Sequence, residues 1–191
     1  MDYQLFHLKD DRNSNSIHLL EQIRRLNLPN SWGVFPALFG LGTNELYWVV
    51  LSKETVCPLH AEAIKLISQS TLQPTVRPQV HEPRQKPGTY VFRWFEVASQ
   101  HVDQVVKLSG QAWETFEDGF DTEVQGLFTV SPAMKVAQVA CEMLLVTWYR
   151  DLSVWQDSRA PDPEATKRFI ARQALLNSAV PIATRLVLAD V

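Results

Sequence analysis

Two segments of this 191-residue chain are apolar on both sides of an extended backbone, and that property restricts the fold more than any other feature of the sequence. In Glu45 to Leu51, Leu46, Trp48 and Val50 point one way while Tyr47, Val49 and Leu51 point the other, and Met143 to Tyr149 is apolar on both faces in the same manner. Successive strand side chains alternate between faces. A sheet with water on one side therefore shows alternating apolar and polar positions. These strands do not, so both of their faces must be covered. The economical arrangement places helices outside and packs two sheets against each other around a barrel-like interior.

The order of elements supports two units. Asp2 to Leu8 has strand character, and Ile17 to Leu26 repeats Leu19, Leu20, Ile23 and Leu26 at helical spacing, with Ser16 as N-cap and Pro29 beyond its end. Gly33 to Gly40 and Glu45 to Ser52 read as a hairpin. A second helix is expected to open at Pro58, carrying Leu59, Ala63, Leu66 and Ile67 on one side. Further on, Thr89 to Val97 is an aromatic strand. Ser99 can cap a helix with Val102, Val105, Val106, Ala112, Trp113 and Phe116 on one stripe, and Asp103, Lys107, Gln111 and Glu114 opposite. Strands are expected at Glu123 to Val130 and Cys141 to Arg150, divided by a loop containing Pro132. Asp162 followed by Pro163 and Glu164 starts a helix expected to stop near Pro181, before a last strand from Ala183 to Ala189.

Each half thus reads strand, helix, two strands, helix, strand. Tyr3 in YQLFHL has a counterpart in Tyr90 of YVFRWF, and ELYWVVLSKETV parallels EMLLVTWYRDLSV with one insertion. Between the halves, Ser70 to Gly88 contains Pro74, Pro78, Pro83 and Pro87 and reads as a linker, with Thr75 to Val80 able to form an edge strand. The expected fold class is α+β: two βαββαβ units in tandem, sheets facing each other in an α/β barrel with helices outside. The expected boundaries are 1–80 for the first unit, 81–88 for the proline-rich linker and 89–191 for the second unit.

Composition narrows the partners. A formal charge of -3 and a pI near 5.9, without a Lys/Arg run, leave no basic footprint for nucleic acid. MDYQLFHLKDD lacks a basic start and an apolar stretch, and no apolar run approaches the roughly 20 residues that span a bilayer, so neither secretion nor a membrane is expected and the expected compartment is cytoplasmic. Two cysteines, Cys57 and Cys141, fit buried thiols in a reducing compartment.

The run YVFRWFEVASQHVDQVVKLSGQAWETFEDGFDTEVQGLF, followed by EMLLVTWYRDLSVWQDSR, resembles NIPSNAP-like proteins of the dimeric α/β-barrel, ferredoxin-like superfamily, over Tyr90 to Arg172. The resemblance implies ferredoxin-like units whose sheets face one another around a cavity. The superfamily includes cofactor-independent oxygenases, haem-degrading and haem-binding enzymes and small-molecule isomerases, and fold does not select among them. The resemblance transfers no catalytic residue. GLFTV at Gly126 to Val130 lacks the basic start and aromatic pattern of the RNA-binding strand signature.

Motifs for chemistry are few. Cys57 and His60 are three apart, yet no second ligand pair accompanies them and Pro58 suits a helix start, so no metal site is expected. His7, His18, His81 and His101 are scattered. There is no GxSxG elbow, GxxxxGK[ST] loop or GxGxxG fingerprint, and no metal, nucleotide, flavin or haem signature, so no tightly bound cofactor is expected. Glu114, Glu117 and Asp118 read as solvated carboxylates on or just beyond a helix face.

What remains is the second half, with Trp94, Trp113, Trp148 and Trp155 and a few arginines. Tryptophans mostly supply core area. Arg93 interrupts the apolar strand face of Val91, Phe95 and Val97, and a buried guanidinium needs an anionic partner. Glu96 or Glu142 would make that partner structural; a ligand carboxylate would make it functional. Arg172, flanked by Phe169 and Leu176, poses the same question, whereas Arg159 and Arg168 read as exposed. The ligand-binding candidates are Arg93, Trp94, Trp113, Trp148 and Arg172, with Arg93 expected to face the cavity between the sheets. Two functions follow: binding or transforming a small apolar or aromatic molecule in a sheet-lined cavity, or a non-catalytic interaction protein with a filled interior whose exposed helices build a homo-oligomer.

Overall fold

The computed structural model describes residues 1–52, 56–59, 61–131, 140–160 and 162–188. Their elements in chain order are β1 (Tyr3–Asp10), α1 (Ile17–Leu26), β2 (Ser31–Phe39), β3 (Glu45–Leu51), β4 (Ile64–Pro74), β5 (Thr89–Ala98), α2 (Val102–Gly119), β6 (Thr122–Ser131), β7 (Ala140–Tyr149), α3 (Leu152–Asp157), α4 (Pro163–Gln173) and β8 (Leu176–Arg185). The strands close into an antiparallel barrel in the order β1-β3-β2-β8-β5-β7-β6-β4. Each half contributes its fourth, first, third and second strand side by side, the ferredoxin-like order. The seams are β2 against β8 and β4 against β6.

Strand alternation sorts the side chains into two layers. Tyr3 and Leu5, Tyr47 and Val49, Tyr90 and Phe92, and Leu144, Val146 and Trp148 face inward and form one continuous core. That interior is solid. Phe92 lies 5.0 Å from Phe35 and 5.1 Å from Tyr47 between ring centroids, and Tyr3 lies 5.2 Å from Phe128, within the usual range for aromatic pairs. Outward, Phe6, Leu8, Leu46, Trp48 and Val50 are covered by Leu19 and Ile23 of α1. Phe95, Val97, Met143 and Leu145 are covered by Val105 and Trp113 of α2. Both faces of β3 and β7 are buried, as their sequences require.

Four local expectations change. Among the described residues, no helix follows Pro58: Leu66 and Ile67 lie in β4, which pairs with β1 and β6 and completes the ring. Leu59, Ala63, Leu66 and Ile67 match helical spacing, but two neighbouring backbones outweigh that local pattern. His60 lies outside the described residues, as do the loop containing Pro132 and Ala189. The helix after Asp162 ends at Gln173, and Pro181 sits within β8, whose residues pair with β5 through Arg185. Ser16 makes no side-chain cap, and Ser99 opens a 3-10 turn, Ser99–His101, so that His101 rather than Ser99 stands at the N-cap of α2. Asp162 does cap α4, accepting from the backbone N–H groups of Glu164 and Ala165 at 2.8 and 3.0 Å.

Residues 75–88 contain no strand and run across one end of the barrel. Tyr90 donates to the Lys86 carbonyl at 2.8 Å, Trp148 Nε1 to the Pro87 carbonyl at 3.0 Å, and the Arg84 backbone N–H to the Trp32 carbonyl at 2.7 Å. The polar tips of Tyr90 and Trp148 thus find partners without opening the core, whereas Trp32 Nε1 is buried without one.

Candidate pocket under the second helical layer

The phase of β5 decides the site. Tyr90, Phe92 and Trp94 point into the barrel, which leaves Val91, Arg93, Phe95 and Val97 on the face beneath α2 and α4. Arg93 therefore faces the helical layer, contrary to the expected inter-sheet position. The reason is volume: the barrel interior is already filled by aromatic rings and cannot admit a guanidinium. The helical layer, by contrast, is not sealed.

Between that face and the helices lies a cavity of about 800 Å³. Its floor is Arg93 of β5, Val124 of β6, Leu145, Thr147 and Tyr149 of β7, and Ala179 and Pro181 of β8. Trp113 and Phe116 of α2, Phe169 and Arg172 of α4, and residues 158–160 form the remaining walls. The volume falls in the range of small-molecule sites. No carboxylate, imidazole or thiol lines it among the described residues.

Arg172 occupies the last turn of α4, where a cation also meets the helix C-terminal dipole. It is only 6% exposed. Its guanidinium lies 4.9 Å from the Phe169 ring and 5.2 Å from the Phe95 ring, and Nη1 donates to Ser109 Oγ at 3.3 Å. Nε is buried without a hydrogen-bond partner. Burial first, and the like charge of Arg93 second, push its pKa down to about 9, while Tyr149 opposes the shift. It remains a cation at neutral pH.

Of the five candidate residues, Arg93, Trp113 and Arg172 meet at this one cavity. Trp94 and Trp148 do not. Trp94 packs against the barrel core 6.4 Å from Tyr47, and Trp148 belongs to that core with the Lys86 ammonium 3.4 Å above its ring. Neither Glu96 nor Glu142 forms an ion pair with Arg93 among the described residues, and Glu96 accepts instead from Asn177 at 3.1 Å. Sequence reasoning missed Thr147, Tyr149, Phe116 and Phe169. Period-two spacing from Leu145 and the (i, i+3) step from Phe169 to Arg172 carry the signal that would find them. Glu117 is a structural clasp rather than a solvated acid: its Oε1 accepts from Arg77 at 2.6 Å and from the Val124 backbone N–H at 2.5 Å. No group of three or more His, Cys, Asp or Glu among the described residues could hold a metal ion, and no described helix is long and apolar enough to cross a membrane.

Strand order, antiparallel closure and outer helices define the class: an α+β protein of the ferredoxin-like, α/β-barrel type, carrying both halves in one chain. No family model and no curated protein matches the sequence. Solved structures do resemble it. Along 98% of its length it is similar to an anthrone oxidase-like protein, covering 92% of that chain at 14% identity and a TM-score of 0.67. A structure described as a major regulator of staphylococcal pathogenesis matches 97% of this chain and 99% of its own at 12% identity, with a TM-score of 0.59. An uncharacterized ferredoxin-fold protein from Listeria monocytogenes 4b F2365, related to antibiotic biosynthesis monooxygenases, matches 97% of this chain and 95% of its own at 11% identity, with a TM-score of 0.51. At these identities the likeness is one of fold.

Proposed function

We propose that this protein binds a small apolar or aromatic molecule in the cavity between the outer face of its second sheet and helices α2 and α4. The observation that carries this reading is the cavity of about 800 Å³, walled by Trp113, Phe116 and Phe169 and holding the buried Arg172 at its edge. Apolar walls with a few polar groups are the usual composition of such sites. The NIPSNAP-like resemblance of Tyr90 to Arg172 falls on the elements that build this cavity, and solved neighbours named as anthrone oxidase-like or related to antibiotic biosynthesis monooxygenases support a small organic occupant. With no carboxylate, imidazole or thiol in the described lining, the chain supplies binding and orientation rather than acid–base catalysis from those groups.

Native mass spectrometry of protein purified from its source tests this. A retained small molecule that is lost in Ala179→Phe, which fills the cavity floor, is the expected result. Retention undiminished in that variant would place the molecule elsewhere and overturn the reading.

A second reading rests on the solid barrel interior: the chain acts by association, with exposed Phe39, Ile170 and Val180 as available apolar groups. Light scattering that shows a monomer across a wide concentration range would remove its homo-oligomeric form.

A further inference from the structure

We propose that the occupant of this cavity carries a carboxylate or a similar oxyanion, held between the guanidinium groups of Arg93 and Arg172; the inference rests on the cavity being a small-molecule site. Arg93, Arg159 and Arg172 line it with no opposing charge; Arg159 is exposed, and the other two are half-buried and buried. Among the described residues neither Arg93 nor Arg172 has an ion-pair partner, and the lining contains no acid. A buried cation is normally matched by an anion.

A purely structural role leaves details unexplained. Stacking on Phe95 and Phe169 stabilises the face of the Arg172 guanidinium, and Ser109 uses one nitrogen. Those contacts fix the group's plane. They leave Nε buried without a partner, although an arginine presents a fork of donors that matches two carboxylate oxygens. Arg93, half-buried on the same cavity floor, adds a second cation that a structural Arg172 would be better without. An anion placed between them would supply the missing countercharge and remove the like-charge repulsion. The aromatic walls formed by Trp113, Phe116 and Phe169 would then receive the apolar body of the same molecule. The ligand class is an amphipathic acid, aromatic or medium-chain.

The test uses matched probes on the full chain. 2-Naphthoate and decanoate are compared with 2-naphthamide and decanamide by calorimetric titration and by ligand-induced thermal shift, on the natural sequence, Arg93→Gln and Arg172→Gln. A charge-assisted pair predicts that the acids bind roughly ten- to a hundredfold tighter than the amides. That preference should fall to about threefold or less in Arg93→Gln, which is half-exposed and should fold even if Arg172→Gln does not. Equal affinity for acid and amide would overturn the anion while leaving the pocket intact. A preference that survives in both variants would overturn the role of the two arginines. No binding by any probe would overturn both the pocket and its charge.

Discussion

The Tyr3 hydroxyl lies 2.6 Å from Nδ1 of His81, a hydrogen bond that ties the first strand to the proline-rich segment 78 residues away. Arg84 joins it, with its guanidinium 5.1 Å from the Trp32 ring and Nη1 donating to Gln125 at 2.8 Å. A segment that reads as a linker is therefore a plug, held by aromatic side chains that come from both halves of the barrel.

Gly88 hinges that plug at φ +150°, where a Cβ would stand 2.4 Å from Trp148 Nε1 and 2.5 Å from the Tyr149 carbonyl oxygen. Gly88→Ala should break the Trp148–Pro87 hydrogen bond and cost about 1–3 kcal/mol. Urea unfolding should show a lower midpoint at unchanged slope, with altered tryptophan emission in the native baseline. A variant that unfolds with the natural midpoint would show that the plug shifts freely.

Glu117→Ala should loosen the joint between α2, the plug and β6. It removes the acceptor shared by Arg77 and Val124, leaving a half-buried cation and a backbone N–H without it. The expected loss is about 1–3 kcal/mol, with faster proteolysis within 75–88. Because Arg77 also stacks 5.2 Å from Trp113, cleavage there should weaken any ligand held in the cavity. Cleavage rates equal to those of the natural protein would contradict the joint.

Arg93→Met should not destabilise the ligand-free protein. The substitution removes one of two like charges that line the same cavity and keeps most of the stem volume, so stability should stay level or rise by up to about 1 kcal/mol. Thermal denaturation without added ligand checks this. A clear fall in melting temperature would mean that Arg93 has a stabilising partner.

Alkaline pH should unfold the protein through its barrel tyrosines. Burial raises the pKa of Tyr3 to about 12, with Arg84 opposing, and raises that of Tyr47 to about 12, with Trp94 opposing and Glu45 adding to it. Tyr90 is also shifted upward by burial. Unfolded tyrosine ionises from its ordinary value of 10.0, so the neutral folded form contributes stability that is full below that pH and lost between 10.0 and about 12. Circular dichroism and tyrosinate absorbance should change together in this window. Tyrosines that ionise near 10.0 while the fold persists would refute the burial.

The barrel was legible because β3 and β7 are apolar on both faces, a demand that few architectures meet. Strand β4 was not, since Leu59, Ala63, Leu66 and Ile67 satisfy a helical period and the backbones of β1 and β6 that claim residues 64–74 are distant in sequence. The cavity was half legible. Alternation required Arg93 and Trp94 to face opposite ways, and Arg172 stood out as a charge among apolar neighbours. Choosing which side held the open space required knowing that Tyr90 and Phe92 share a phase with Leu144 and Val146 and fill the interior together. That is a property of summed volume, invisible in any single strand.

Closure of the ring also governs how this chain meets copies of itself. An unpaired strand border is a template for uncontrolled assembly, and MLLVTWY in β7, nearly uncharged and rich in β-formers, would be a hazardous one. In the native ring β7 is flanked by β5 and β6, so the finished protein offers no such template there. The exposure falls on the nascent chain instead. Until β8 comes to lie against β5, the sheet built around β7 has an open flank, so losses to aggregation should track the rate of refolding rather than native stability.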